Sequence, residues 1–194
     1  MIVGNPSVFA IESHIASAYA QPGLRGIGFF VIKIKDRSYG VRETDATMLA
    51  NSFDEVGRRI ASRGQHTAPI AREPDADAMA HAFIRALYCD EGEEEVYLGL
   101  SRSQFSEAIY SRRIIWAPDG DAAFDDGSFV LQFDSGDLVR LIAFRRRGDD
   151  SYDRATLADL WLPQEDFYGI LQAWHGDFES EWSALPKAVE RDTE

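Results

Sequence analysis

The sequence predicts an α+β fold: a single domain with mainly antiparallel β-sheet packed by several helices. Three observations predict it. Alternating apolar runs flank short turn sequences at two places, the pattern of antiparallel hairpins. Apolar residues recur at helical spacing in the segments between and after them. No strand–helix–strand rhythm repeats, which argues against a parallel doubly wound sheet. A chain of 194 residues buries one substantial core and is short for two ordinary domains with a linker. Residues 1–194 are therefore read as one domain, with 187–194 as a frayed tail.

Val8–Ile15 places Phe9, Ile11 and Ile15 on one side of a strand, although a helix also accommodates it. Phe30, Ile32 and Ile34 then alternate with Val31, Lys33 and Lys35; Asp36-Arg37-Ser38 supplies turn residues, and Tyr39 and Val41 resume the strand. Thr44 or Asp45 suits a helix N-cap before the stripe Leu49, Phe53, Val56 and Ile60, and Gly64 suits the helix end. Gln65–Asp75 reads as a loop, with Pro74 in the first turn of a second helix that carries Met79, Phe83 and Leu87. Val96, Leu98 and Leu100 alternate as a strand, Ser103–Tyr110 forms a short helix, and Ile114-Ile115-Trp116 returns to strand.

Ser128–Asp134 and Leu138–Arg145 flank Ser135-Gly136-Asp137, the strongest hairpin signal in the chain. The second arm is largely apolar on both faces, so it belongs in the middle of a sheet with a layer on each side. Phe167, Leu171, Trp174, Phe178 and Trp182 define a final amphipathic helix that Pro163 can begin, with Glu165 and Asp166 complementing its N-terminal dipole and Pro186 following its end.

Charge narrows the function. The chain carries 20 basic and 33 acidic residues, a net −13. All of the imbalance lies after residue 64, where 12 basic side chains meet 27 acidic ones, while residues 1–64 carry a net +2. A phosphate backbone needs a basic surface, so direct nucleic-acid binding is excluded. A basic protein is the partner such a surface attracts. Cys89 is the lone cysteine, which excludes an intrachain disulfide and a cysteine-rich zinc site and fits a reducing compartment. No secretion signal opens the sequence, and the longest strongly apolar run, Ile27–Ile32, falls far short of the ~20 residues that span a bilayer. The expectation is a cytoplasmic protein.

No catalytic constellation stands out. His14, His66, His81 and His175 lack metal-site companions; Asp77 and His81 share a helix face without a third ligand. Gly23, Gly26 and Gly28 precede a strand, the reverse of a dinucleotide fingerprint. Asp119 and Asp121 begin like a calcium loop that then fails at Ala123, Phe124 and Val130. Cys89 borders an acidic run, which raises a thiol's pKa. Arg145-Arg146-Arg147 reads as a charged end that blunts a sheet edge. The reading therefore assigns no metal and no cofactor.

Gly4-Asn5-Pro6-Ser7-Val8-Phe9-Ala10-Ile11-Glu12, Gly127–Asp134 continuing into Val139–Phe144, Trp161-Leu162-Pro163, Phe167-Tyr168, Leu171 and the Trp174–Trp182 segment together resemble a family of bacterial immunity proteins of polymorphic toxin and contact-dependent growth inhibition systems. The resemblance implies a cytoplasmic, non-catalytic protein that binds the C-terminal domain of one cognate toxin, commonly a nuclease, at its active site or an exosite. It transfers no binding residue. Physical chemistry nominates two acidic clusters for the toxin: Asp90, Glu91, Glu93, Glu94 and Glu95, and Asp119, Asp121, Asp125 and Asp126. The alternatives are a small acidic hydrolase using a carboxylate pair in a cleft and a protein-binding adaptor.

Overall fold

A computed structural model describes residues 1–89, 95–116, 121–148 and 151–188. Its first sheet has the order β1 (Ile2–Asn5), β2 (Phe9–Ala18), β3 (Gly26–Ile34), β4 (Arg37–Tyr39), with β5 (Thr47–Met48) also on β3; every pairing is antiparallel. Helix α1 (Leu49–Ala61) follows directly, then a 3-10 turn (Pro69–Arg72) and α2 (Ala76–Tyr88). A small hairpin of β6 (Val96–Tyr97) and β7 (Leu100–Ser101) leads into α3 (Arg102–Ser111). The second sheet has the order β10 (Tyr152–Pro163), β9 (Leu138–Arg146), β8 (Ser128–Ser135), and α4 (Gln164–Ala184) closes the chain. The α+β class with antiparallel sheet is as the sequence predicts.

Strand β9 is central and Val139–Phe144 are buried throughout, because each face of its sheet lies on a different core. Val130, Val139, Leu141 and Ala143 pack toward the first sheet, α1 and α4. Phe129, Leu131, Phe133, Ile142 and Phe144 pack toward α2 and α3. Period-two alternation in two paired strands thus divides two cores and joins them in one sheet. The first core is aromatic: Trp174 meets Phe30 edge-on at 5.1 Å, and Phe9 sits 5.1 Å from Phe167.

Several boundaries differ from the sequence reading, each for a physical reason. The first hairpin turns at Lys35-Asp36, both left-handed (φ 51° and 64°), which is the type I′ geometry whose twist suits a two-residue turn; Arg37 and Ser38 are strand. Helix α1 starts at Leu49 behind Met48, which has no side-chain cap, because Thr47–Met48 first pair with Gly28 and Ile27; neither Thr44 nor Asp45 caps it. Asp75 caps α2, so Pro74 lies before the helix. The single strand expected from Val96 to Leu100 folds back at Leu98-Gly99, both left-handed. Ile115 forms only an isolated bridge to Leu131. Arg145 and Arg146 end the central strand, so the basic run blunts no edge. Lys187, expected in a frayed tail, bridges to Ala18, and Ala188 donates to the Ala18 carbonyl; residues 189–194 lie outside the described residues. The short strand β1 and the twelve-residue β10 had no counterpart in the sequence reading.

A buried polar network sits where α1, β8 and α4 meet. Arg59 is fully buried; its Nη1 donates to Gln132 Oε1 at 2.9 Å, its Nη2 donates to the Ile115 carbonyl at 2.5 Å, and its Nε lies 3.0 Å from Glu55. Gln132 Nε2 donates to Tyr168 Oη at 2.9 Å and to Asp134 at 3.2 Å, and Asp134 also receives the Tyr168 hydroxyl and the His66 backbone N–H. Burial pulls Arg59 down to about 10, opposed by Glu55 and Asp134, so it stays charged at neutral pH. Removing a guanidinium that anchors buried acceptors costs about 3–5 kcal/mol, whereas an exposed pair is worth roughly 0–1 kcal/mol. Urea denaturation should therefore show Arg59→Ala losing several kcal/mol. Arg63→Ala, which removes the exposed pair with Glu165, a bond to Gln164 Oε1 and a contact over the Tyr168 ring, should lose markedly less, about 1 kcal/mol. Similar losses in both variants would sink the network's role.

Candidate functional site

The described members of the second acidic cluster, Asp121, Asp125 and Asp126, lie just before β8, and Asp126 reaches Arg145 at the end of β9. Asp90, Glu91, Glu93, Glu94 and Asp119 lie outside the described residues. Glu95 accepts from Arg85 at 3.2 Å and from the Tyr97 hydroxyl at 3.1 Å. Asp121 caps the 3-10 turn Ala122–Phe124 by accepting from Ala123 N at 3.0 Å and from Thr47 Oγ1 at 3.4 Å; burial raises its carboxyl, with these two bonds opposing. Asp126 pairs with Arg145 at 2.9 Å and accepts the Ser128 and Gly40 N–H groups. Asp125 is exposed. The sequence reading of a solvated acidic loop thus holds for Asp125 and not for Asp121 or Asp126, which hold the chain in place.

The basic run at this end is also partnered. Arg145 meets Asp126, Arg146 lies 4.5 Å over the Tyr88 ring, and Arg147 meets Asp153 at 3.1 Å. A concavity of about 440 Å³ nearby includes Arg85, Arg147 and Arg154, and each already faces a carboxylate: Glu95, Asp153 and Asp77. Asp77 is further engaged by the Tyr152 hydroxyl, while His81 is exposed. Among the described residues no three His, Cys, Asp or Glu side chains converge as a metal site.

At the opposite end of the second sheet an open groove of about 620 Å³ runs between β1, the end of β10 and the first turns of α4. Val3 and Val8 contribute from the β1 side, Trp161 and Pro163 from β10, and Gly169 and Ile170 from α4. Its charged members are Glu165 and Asp166. Gly4 lets β1 approach this closely: it holds φ +100°, and a Cβ there would stand 2.5 Å from the Phe9 carbonyl oxygen and 3.2 Å from Ile170 Cδ1. No sequence motif announced the groove, because its members are 150 residues apart in the chain. The signals available were small: Val8 and Trp161, two apolar residues the core does not bury.

An exposed apolar groove with a carboxylate rim has the make-up of a protein-binding surface. Residues 1–177 match the Immunity protein 42 family, and the chain belongs to that family. The resemblance read from the sequence is upheld, and with it an immunity function, the neutralisation of a toxin through a protein partner. CdiI from Burkholderia dolosa AUO158 shares the fold with a TM-score of 0.56, covering 91% of this chain and 99% of that chain at 15% identity. No curated protein matches the chain. Among the described residues no helix is long and apolar enough to cross a membrane.

One buried histidine makes the fold sensitive to pH. His66 Nδ1 lies 3.0 Å and 3.1 Å from the Arg112 and Arg113 carbonyls, so Nδ1 carries the proton, and the buried Nε2 has no partner among the described residues. Burial and the Arg59 charge hold its pKa below the ordinary 6.5. The unfolded chain then binds more protons below about pH 6.5, so stability must fall as pH drops from there through the folded pKa, by at most ~1.4 kcal/mol per pH unit for this group. His175, half-buried against Phe53 and near Arg25, shifts the same way. Urea midpoints at pH 7.5 and 5.5 should therefore separate for the parent and converge partly for His66→Gln. An unchanged pH slope in that variant would refute the assignment.

Proposed function

We propose that the chain binds and neutralises the C-terminal domain of a cognate toxin in a bacterial contact-dependent competition system, that this domain is a nuclease, and that the chain acts in the cytoplasm without catalysis of its own. The observation that carries the reading is the match of residues 1–177 to an immunity family. The fold shared with the Burkholderia dolosa CdiI supports the type of system.

Charge supports the choice of a nuclease. An enzyme that grips a phosphate backbone has a basic cleft, and a chain of net −13 is attracted to it over a Debye length of about 10 Å. In this reading the carboxylates of the two clusters that are free of internal duties steer the encounter. Among the described residues that role falls to Asp125; Asp90, Glu91, Glu93, Glu94 and Asp119 join it by charge. Glu95, Asp121 and Asp126 contribute charge while bound to Arg85, Thr47 and Arg145.

Co-expression with the toxin domain encoded immediately upstream should rescue growth, and titration of the two purified proteins should show stoichiometric, tight binding. Steering acts on association. Converting Asp90, Glu91, Glu93, Glu94, Asp119 and Asp125 to Asn or Gln should slow association roughly tenfold at low salt and flatten its salt dependence, leaving dissociation nearly unchanged. Tight binding with no change in either rate would discard the clusters and keep the immunity role. Absence of both rescue and binding would discard the role.

A further inference from the structure

We infer that the groove between β1, the end of β10 and the start of α4 is where the toxin domain docks, and that the toxin places there an apolar side chain beside a lysine or arginine. The inference rests on the immunity reading above. The groove offers apolar surface that the core leaves uncovered, with Val8 42% and Trp161 40% exposed and Ile170 half-buried. Such surface gathered in one concavity marks an interaction site.

The groove also selects the partner's charge. Glu165 and Asp166 are its charged members, and Arg63 reaches only Glu165. Asp166 is exposed with no ionic partner among the described residues. An apolar residue followed by a cation complements that arrangement. A second copy of this chain does not: two acidic rims would meet on molecules that each carry −13.

Gly169 leaves room for such a partner. It lies on an exposed face inside α4, where a glycine is less favourable than almost any other residue, and a Cβ at this position would meet nothing within 4 Å. The fold has room for a side chain and gains nothing from its absence. A partner seated against bare helix backbone does gain. The opposite end of the second sheet is differently furnished, since Arg145 and Arg147 there are already paired with Asp126 and Asp153.

The full chain, Gly169→Gln, Val8→Asp and the matched control Gly176→Gln should be titrated against the catalytically inactivated toxin domain encoded immediately upstream, with thermal melts and light scattering of each. Gly176 is equally open but outside the groove. Both glutamine variants should melt at or above the parent temperature. Gly169→Gln and Val8→Asp should weaken binding at least about tenfold, mainly through faster dissociation, while Gly176→Gln stays within about twofold. If the parent binds and both groove variants bind equally well, the groove is overturned and the immunity reading stands. A parent that dimerises until Val8→Asp is introduced would make the groove a self-interface and overturn the inference. A parent that neither binds nor rescues would overturn both readings together.

Discussion

A full positive charge has to be held inside the first core, and the arrangement of the rest follows from how Arg59 is satisfied. An unpaired guanidinium there would cost several kcal/mol, so its acceptors cannot be optional. They come from different elements: Gln132 from β8, the Ile115 carbonyl from the segment bridged to that strand, and Glu55 from α1 itself. Trp116 lies 4.9 Å below the charge. Helix α1 therefore has one acceptable position on the second sheet. The constraint also fixes register, because a one-residue slip of β8 would turn Gln132 and Asp134 into the opposite core and take an acceptor from Arg59 and both partners from the Tyr168 hydroxyl.

The same network governs α4. Tyr168 bonds Gln132 and Asp134 on the inner side of the helix, burial and the adjacent Asp134 carboxylate keep its hydroxyl protonated, and Trp174 Nε1 donates to Ser13 Oγ two turns later. The helix is thereby fastened to the second sheet at one end and the first sheet further along. Its remaining face is free of structural duties near Gly169. Core and groove are opposite sides of one helix, and the polar contacts that orient the first also set the second.

Much of this architecture was legible in the sequence because periodicity reports burial. Val139–Phe144, apolar on both faces apart from Arg140, could only be a strand with cores on both faces. Phe167, Leu171, Trp174 and Phe178 could only be one helical face. Strand β10 was not legible: its register breaks between Asp153 and Ala158, and as an edge strand it exposes Arg154 and Ala155, so the alternation dissolves. The β6–β7 hairpin was hidden because Leu98, read as a strand residue, occupies a left-handed turn position. The acidic residues were visible as charge, but sequence cannot distinguish Asp125, exposed, from Asp126, which holds Arg145 and two backbone amides. The groove was least visible of all. It joins Val8 to Gly169 across the chain, and one of its lining residues is an absence of side chain, which a propensity scale scores only as a flaw in a helix.

That flaw matters because of where the rigidity lies. Association always loses translational and rotational freedom, and a surface that must also order itself loses more. Here Gly169 follows immediately on Tyr168, whose side chain is locked in the core. Across the groove, β1 is held by the Met1 amino group donating to the Ser13 carbonyl and by Gly4 lying directly against Ile170. Both sides are set before any partner arrives. Long-range carboxylates can raise the encounter rate of a basic partner but do little to keep it bound once salt screens them. A preformed apolar groove has the complementary property, since burial is insensitive to screening and acts on dissociation. In the proposed docking mode, an acidic chain built around a rigid α4 separates capture from retention, and places retention on the face of the helix that its own core does not use.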